Sequence, residues 1–194
     1  MSDSTFSEKD ALALIDQTIK SVRKKIGDNG FIFLLWGFLI MIGNLASYTF
    51  IGLQIQQFIG YVWMTIGIGG GVFSFVYYAK QKSKKGPSTQ IEKYFTYVWS
   101  GVGLGAVVLY TYMIIAEEFM LITPFVLTLA GIATFISGRI LKVPALVWGG
   151  ISFWIGTGLA LYFQSELQFL IGAACMITGY LIPGFVLKAK AKKA

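Results

Sequence analysis

From Phe31 to Leu187 the chain repeats one pattern, a long run of apolar residues followed by a short polar break. The stretch Phe31 to Met41 (FIFLLWGFLIM) is apolar at odd and even positions alike. A transmembrane barrel strand would instead need about 10 residues of alternating polarity, so the pattern reads as helix. Six such runs follow one another: Phe31 to Ile51, Phe58 to Ala79, Tyr94 to Ala116, Phe119 to Gly138, Ala145 to Phe163 and Phe169 to Leu187. Each is close to the roughly 20 apolar residues that carry a helix across a bilayer. Hydrocarbon offers the backbone no water to bond, which again favours helices whose N–H and C=O groups are satisfied internally. The expected fold class is all-α, a polytopic membrane bundle of six transmembrane helices. Too little chain remains outside the spans for a folded soluble domain.

Ahead of the first span the period changes. Ser7 and Asp10 have the spacing of a helix start, and Leu12, Ile15, Ile19, Val22 and Ile26 then recur at intervals of three and four. That predicts an amphipathic helix from Glu8 to about Ile26 with one narrow apolar stripe, and a turn at Gly27 to Gly30 leading into the first span. The organisation expected is a cytoplasmic N-terminal helix within residues 1–30, a membrane domain over 31–187 and a basic tail over 188–194. The stripe needs a cover. The membrane surface or the protein's own cytoplasmic face would serve, with Lys20, Arg23, Lys24 and Lys25 meeting anionic headgroups. A homo-oligomer seam or a cytoplasmic protein partner would serve as well.

Charge gives the spans a direction. The sixteen Lys and Arg residues all fall before the first span, in the second and fourth connections, or in the tail. The other three connections carry only Glu117, Glu118 and Glu166. Because cytoplasmic loops hold the basic excess, both termini are expected in the cytoplasm of a bacterial inner (plasma) membrane, with six crossings. The net charge of +7 then belongs to the lipid-facing cytoplasmic side, and no nucleic-acid partner is expected.

Composition narrows the chemistry. The chain is 56% hydrophobic and 13% charged, with no histidine and one cysteine, Cys175, placed mid-span. No span contains a charged residue. Catalytic residues, cofactors and bound metals are therefore not expected, and the three glutamates read as topogenic. Cys175 reads as a small apolar filler. Among uncharged polar groups Asn44 stands apart, since an amide at membrane depth needs partners for its donors and its acceptor.

Twenty-three glycines are many for this length. Gly67 and Gly71, and Gly101 and Gly105, make small-xxx-small pairs at matching depth, which predicts antiparallel packing of spans two and three. The alternative is a broken helix over Ile66 to Val72 that lines a solute path. Ala130, Thr134 and Gly138, and Ser152, Gly156 and Ala160, give the fourth and fifth spans similar faces. Pro183 should bend or end the sixth span, and Pro144 and Pro124 suit helix starts. Trp36, Tyr77, Tyr78, Tyr94, Trp99 and Trp148 are expected in the cytoplasmic aromatic belt.

Two motifs recur. Trp36-Gly37, Trp99-Ser100-Gly101 and Trp148-Gly149-Gly150 open outward-going spans, and Ser137-Gly138-Arg139-Ile140-Leu141-Lys142 echoes Pro183-Gly184-Phe185-Val186-Leu187-Lys188. Three helical hairpins in parallel repeat would account for both. With the amphipathic start, the motif Phe31-Ile32-Phe33-Leu34-Leu35-Trp36-Gly37, the opening Tyr97-Val98-Trp99 and the closing Ile182-Pro183-Gly184, the chain resembles a group of small, uncharacterised integral proteins of bacterial inner membranes, common in Bacteroidetes. That resemblance implies topology and carries no activity or site residues. The functional expectation is a non-catalytic assembly or regulatory partner acting through its basic cytoplasmic face and N-terminal helix. The alternative is a carrier or channel for a neutral or lipophilic solute.

Overall fold

Long apolar stretches free of internal proline become long helices. In a computed structural model that describes residues 8–9, 12–18, 30–82, 90–116, 118–163 and 165–192, these are α1 (Gly30–Gly52), α2 (Ile59–Lys82), α3 (Gln90–Ala116), α4 (Ile122–Ile140) and α5 (Pro144–Phe163). The last rod is made of α6 (Leu167–Met176), a π-helical turn (Ile177–Leu181) and α7 (Ile182–Lys192). The described residues contain no strand, so the fold is all-helical. Five stretches are long and apolar enough to cross a membrane: Gly30–Gly52, Gln56–Lys80, Ile122–Ile140, Pro144–Phe163 and Leu167–Ala189. Residues 12–18 are helical, and the remainder of the helix expected up to Ile26 lies outside the described residues.

Apart from α2 and α3, sequential rods pair antiparallel, and two hairpins carry the same tie. Trp36 Nε1 donates to Ser74 Oγ at 3.1 Å between α1 and α2, and Trp99 Nε1 donates to Ser137 Oγ at 3.2 Å between α3 and α4. In both, serine follows tryptophan by 38 residues. The third hairpin has Val186 at that spacing and leaves Trp148 70% exposed. The expected belt placement therefore needs correction at Trp36 and Trp99. Each indole turns inward because a hydroxyl on the returning helix takes its N–H, which apolar surroundings would otherwise leave unbonded.

The core is formed by α1, α4, α5 and the last rod. Phe153, Leu127, Leu146, Met176 and Leu187 are almost wholly buried there, and Tyr180 stacks edge-on against Phe33 and Phe153. Helices α2 and α3 lie at the margin, where α2 rests on α1 and α3 rests chiefly on α4. Here the expected pairing of spans two and three is corrected. A Cβ added at Gly67, Gly71, Gly101 or Gly105 would meet nothing within 4 Å. Side chains have taken the inner faces: α2 packs by Gly70 against Trp36 and Leu39, and α3 by Trp99, Ala106, Tyr110 and Met113. Gly67, Gly71, Gly101 and Gly105 are left without a neighbouring helix.

Glycine works instead where backbones touch. A Cβ at Gly138 would sit 2.6 Å from the Val147 nitrogen, and one at Gly150 2.7 Å from the Phe135 nitrogen, which brings α4 and α5 into main-chain contact. Gly30 approaches the Gly184 carbonyl in the same way and joins α1 to α7. Gly156 makes room for Cys175, whose Sγ lies 3.7 Å from the Ser152 carbonyl oxygen. Small residues let helices pack this closely when hydrocarbon, unlike water, gives no hydrophobic drive for one helix to join another.

The sixth rod neither ends nor breaks at Pro183. Proline cannot donate to the Gly179 carbonyl, and the rod answers with a π turn over Ile177–Leu181 in which the Ile182 N–H reaches the Ile177 carbonyl. Gly149 of α5 lies directly against the Gly179 carbonyl, so close that a Cβ there would be 2.8 Å from it. The expected bend is thus absorbed by one wide turn that the neighbouring helix covers.

Candidate functional site

The two ends of the bundle differ in charge. The near end is where Gly30 meets Gly184; it carries the exposed Lys80, Lys93, Arg139, Lys142 and Lys188. The far end carries the exposed Glu118 and Glu166. Between α4 and α5, Leu141 and Val143 are buried while Lys142 takes a left-handed backbone (φ 52°) and points its side chain out. That cap forms because the Val143 N–H donates to the Gly138 carbonyl, closing α4 before Pro144 opens α5.

Lys142 Nζ lies 3.9 Å from Asp16 Oδ1, an exposed pair that sets the N-terminal helical segment beside the near end. Beside Asp16 the stripe is open: Leu12 is 66% and Ile15 54% exposed, and the neighbouring Leu14 is exposed as well. Ile19, Val22 and Ile26, the rest of the expected partner-binding stripe, lie outside the described residues.

Asn44 sits in the far half of the bundle and is 3% exposed. Its Nδ2 donates to the Ile40 carbonyl at 2.9 Å, while its Oδ1 finds no described partner and presses on Gly172 of α6. The space around it is lined by Ile40, Trp63, Thr123, Leu127 and Met176. Trp63 Nε1 is taken by Ser47 Oγ at 3.0 Å, and that hydroxyl donates to the Gly43 carbonyl. Thr123 and Gln168 are buried too, and each keeps one oxygen without a described partner. Sequence reasoning passed over both. Thr123 stands at the start of a helix and Gln168 just outside the expected sixth span, and nothing in one sequence relates either of them to Asn44.

Comparison with protein-family models, curated proteins and solved structures finds no significant match. The reading of this chain therefore rests on its own residues. Among the described residues no group of three His, Cys, Asp or Glu side chains is placed to hold a metal. Of the glycines expected to pack helices or line a solute path, Gly67, Gly71, Gly101 and Gly105 face away from the bundle, and none of them borders the space around Asn44.

Proposed function

We propose that this chain is a six-span protein of a bacterial inner membrane, with both termini in the cytoplasm, and that it works without catalysis as an assembly or regulatory partner. The observation that carries the proposal is the open apolar stripe at Leu12 and Ile15 on a segment tied through Asp16 to the basic Lys142 turn. An apolar helix face anchored beside a basic surface is suited to a soluble partner with an apolar groove and acidic rim. Anionic headgroups suit the same surface when no protein partner is engaged.

Six crossings require α3 to be counted with the five apolar stretches. Its 27 residues begin with Gln90, Glu92 and Lys93 and continue apolar to Ala116, a length of roughly 40 Å at 1.5 Å per residue. The charge difference between the two ends supports the orientation. A cysteine placed at Glu166 should react with a membrane-impermeant thiol reagent from the periplasmic side of spheroplasts, the native Cys175 being buried. Labelling of that site only in inside-out vesicles would reverse the orientation.

The partner reading is tested by the double variant Leu12→Asp, Ile15→Asp. Recovery of a co-purifying protein should fall to background while the amount of protein in the membrane stays the same. Undiminished recovery would remove the stripe from the interaction. The second reading, a carrier for a neutral or lipophilic solute, is favoured by the buried Asn44 amide, whose oxygen has no described partner. It requires solute flux into liposomes that hold the purified protein.

A further inference from the structure

In its far half the bundle encloses polar atoms that its own side chains do not satisfy. Asn44 and Thr123, each at least nine-tenths buried and each with a side-chain oxygen that has no described partner, both line one space between α1, α2, α4 and α6. One turn before Gly172, Gln168 adds a third oxygen without a described partner, its Nε2 lying against Met120 Sδ at 2.8 Å. A buried amide oxygen or hydroxyl left unbonded costs roughly 1–3 kcal/mol. At three other hydroxyls the same problem is solved locally: Ser47, Thr128 and Thr157 donate to carbonyls of their own helices four residues back. Asn44 cannot repeat that with Oδ1, because an acceptor needs an incoming hydrogen. The nearest indole N–H, that of Trp63, already goes to Ser47.

The remaining walls are apolar, contributed by Ile40, Ile122, Val126, Leu127 and Met176, and the space between them accommodates about one water-sized sphere. Gly172 sets its floor. A Cβ there would lie 2.5 Å from Asn44 Oδ1, so any larger residue would displace the amide. We propose that this space is a binding site for one water molecule, which donates to Asn44 Oδ1 and bonds to the hydroxyl of Thr123. A water with such partners joins α1 to the first turn of α4 through groups that do not touch directly, a role buried waters fill where two to four polar atoms converge. The inference is independent of the partner reading, since it concerns the end of the bundle opposite Lys142.

The chain holds only two asparagines, Asn29 and Asn44, so asparagine-selective isotope labelling gives two resolvable side chains. In full-length protein in bilayers, water-edited solid-state NMR should show magnetisation passing from bound water to the Asn44 amide. With Cys175, the one cysteine, labelled alongside as a buried reference outside this space, the transfer should fall to the Cys175 level in Thr123→Val and return in Thr123→Ser. Transfer no stronger than at Cys175 in the unaltered protein would overturn the site. So would an Asn44 signal that Thr123→Val leaves unchanged, because the water would then not be shared. Should Thr123→Val fail to fold, a density map must show a peak within about 3.2 Å of both oxygens, and a direct protein bond or an empty site there would refute the proposal.

Discussion

Gly138→Leu is expected to abolish recovery of folded protein, while Gly103→Leu leaves it near the level of the unaltered chain. Both are glycines inside long helices, and a residue count would treat them alike. At Gly138 the first added carbon would lie 2.6 Å from the Val147 nitrogen and 2.9 Å from the Leu146 carbonyl carbon, which belong to the backbone of α5 and cannot rotate aside. The helices would have to part, opening the most extensive helix contact in the bundle. Overpacking a filled core costs about 1–3 kcal/mol even where side chains can adjust, and main-chain opposition removes that relief. At Gly103 nothing lies within 4 Å. There leucine meets no other part of the described protein, and replacing glycine inside a helix returns about 0.5–1 kcal/mol of backbone entropy for a small side chain such as alanine. Thermal unfolding in detergent, followed by circular dichroism, checks the pair. A Gly138→Leu protein as stable as the Gly103→Leu protein would mean that α4 and α5 do not meet here.

Phe153→Ala should cost about 3–5 kcal/mol, the range for deleting a fully buried aromatic ring. The ring is completely buried, packs edge-on against Tyr180 with centroids 5.0 Å apart, and fills the room left by the missing side chain of Gly179. That last contact makes a size exchange informative. Gly179→Val alone should fail to fold, because its Cβ would collide with the Phe153 ring. Combined with Phe153→Ala, it should recover part of the lost stability, since the added methyl groups enter the cavity that the ring vacates. Neighbouring substitutions of this kind depart from additivity by about 0.5–3 kcal/mol. Strict additivity of the two losses in equilibrium unfolding would show that the ring and the glycine do not share one space. By contrast Phe75→Ala, on the outer face of α2, should change stability little.

The sequence makes the helical class and the rod boundaries legible because hydrophobic run length is a one-dimensional property. The first rod is expected over Phe31 to Ile51 and runs Gly30–Gly52, and the fifth is expected from Ala145 and begins at Pro144. Helix pairing is a different matter. Gly67 and Gly71 carry the same small-residue signature as Ala130, Thr134 and Gly138, yet the first two meet no other helix while Gly138 lies against the backbone of α5. The difference lies in which side chains have claimed the remaining faces, and that depends on residues tens of positions away. Trp36 and Trp99 misled for a related reason. An indole near a helix end suits a wet interface equally well, and only the serine 38 residues later turns it inward. Asn44 could be singled out from one position because its unmet acceptor is a local property of the amide. Thr123 and Gln168, which border or adjoin the same region, could not.

The order in which the rods leave the ribosome does not match the order in which they pack. α1 is made first, yet apart from α2 its main neighbours are α6, the π turn and α7, the last parts of the chain to be synthesised. Until they emerge, the α1–α2 hairpin has Trp36 and Ser74 to hold it but no cover for the face that carries Gly30, Gly37 and Asn44. Closure of the bundle is thus a C-terminal event. A chain stopped after Phe163 would keep the partners of both Trp–Ser ties but lack Gly172, the residue that lies against the Asn44 amide.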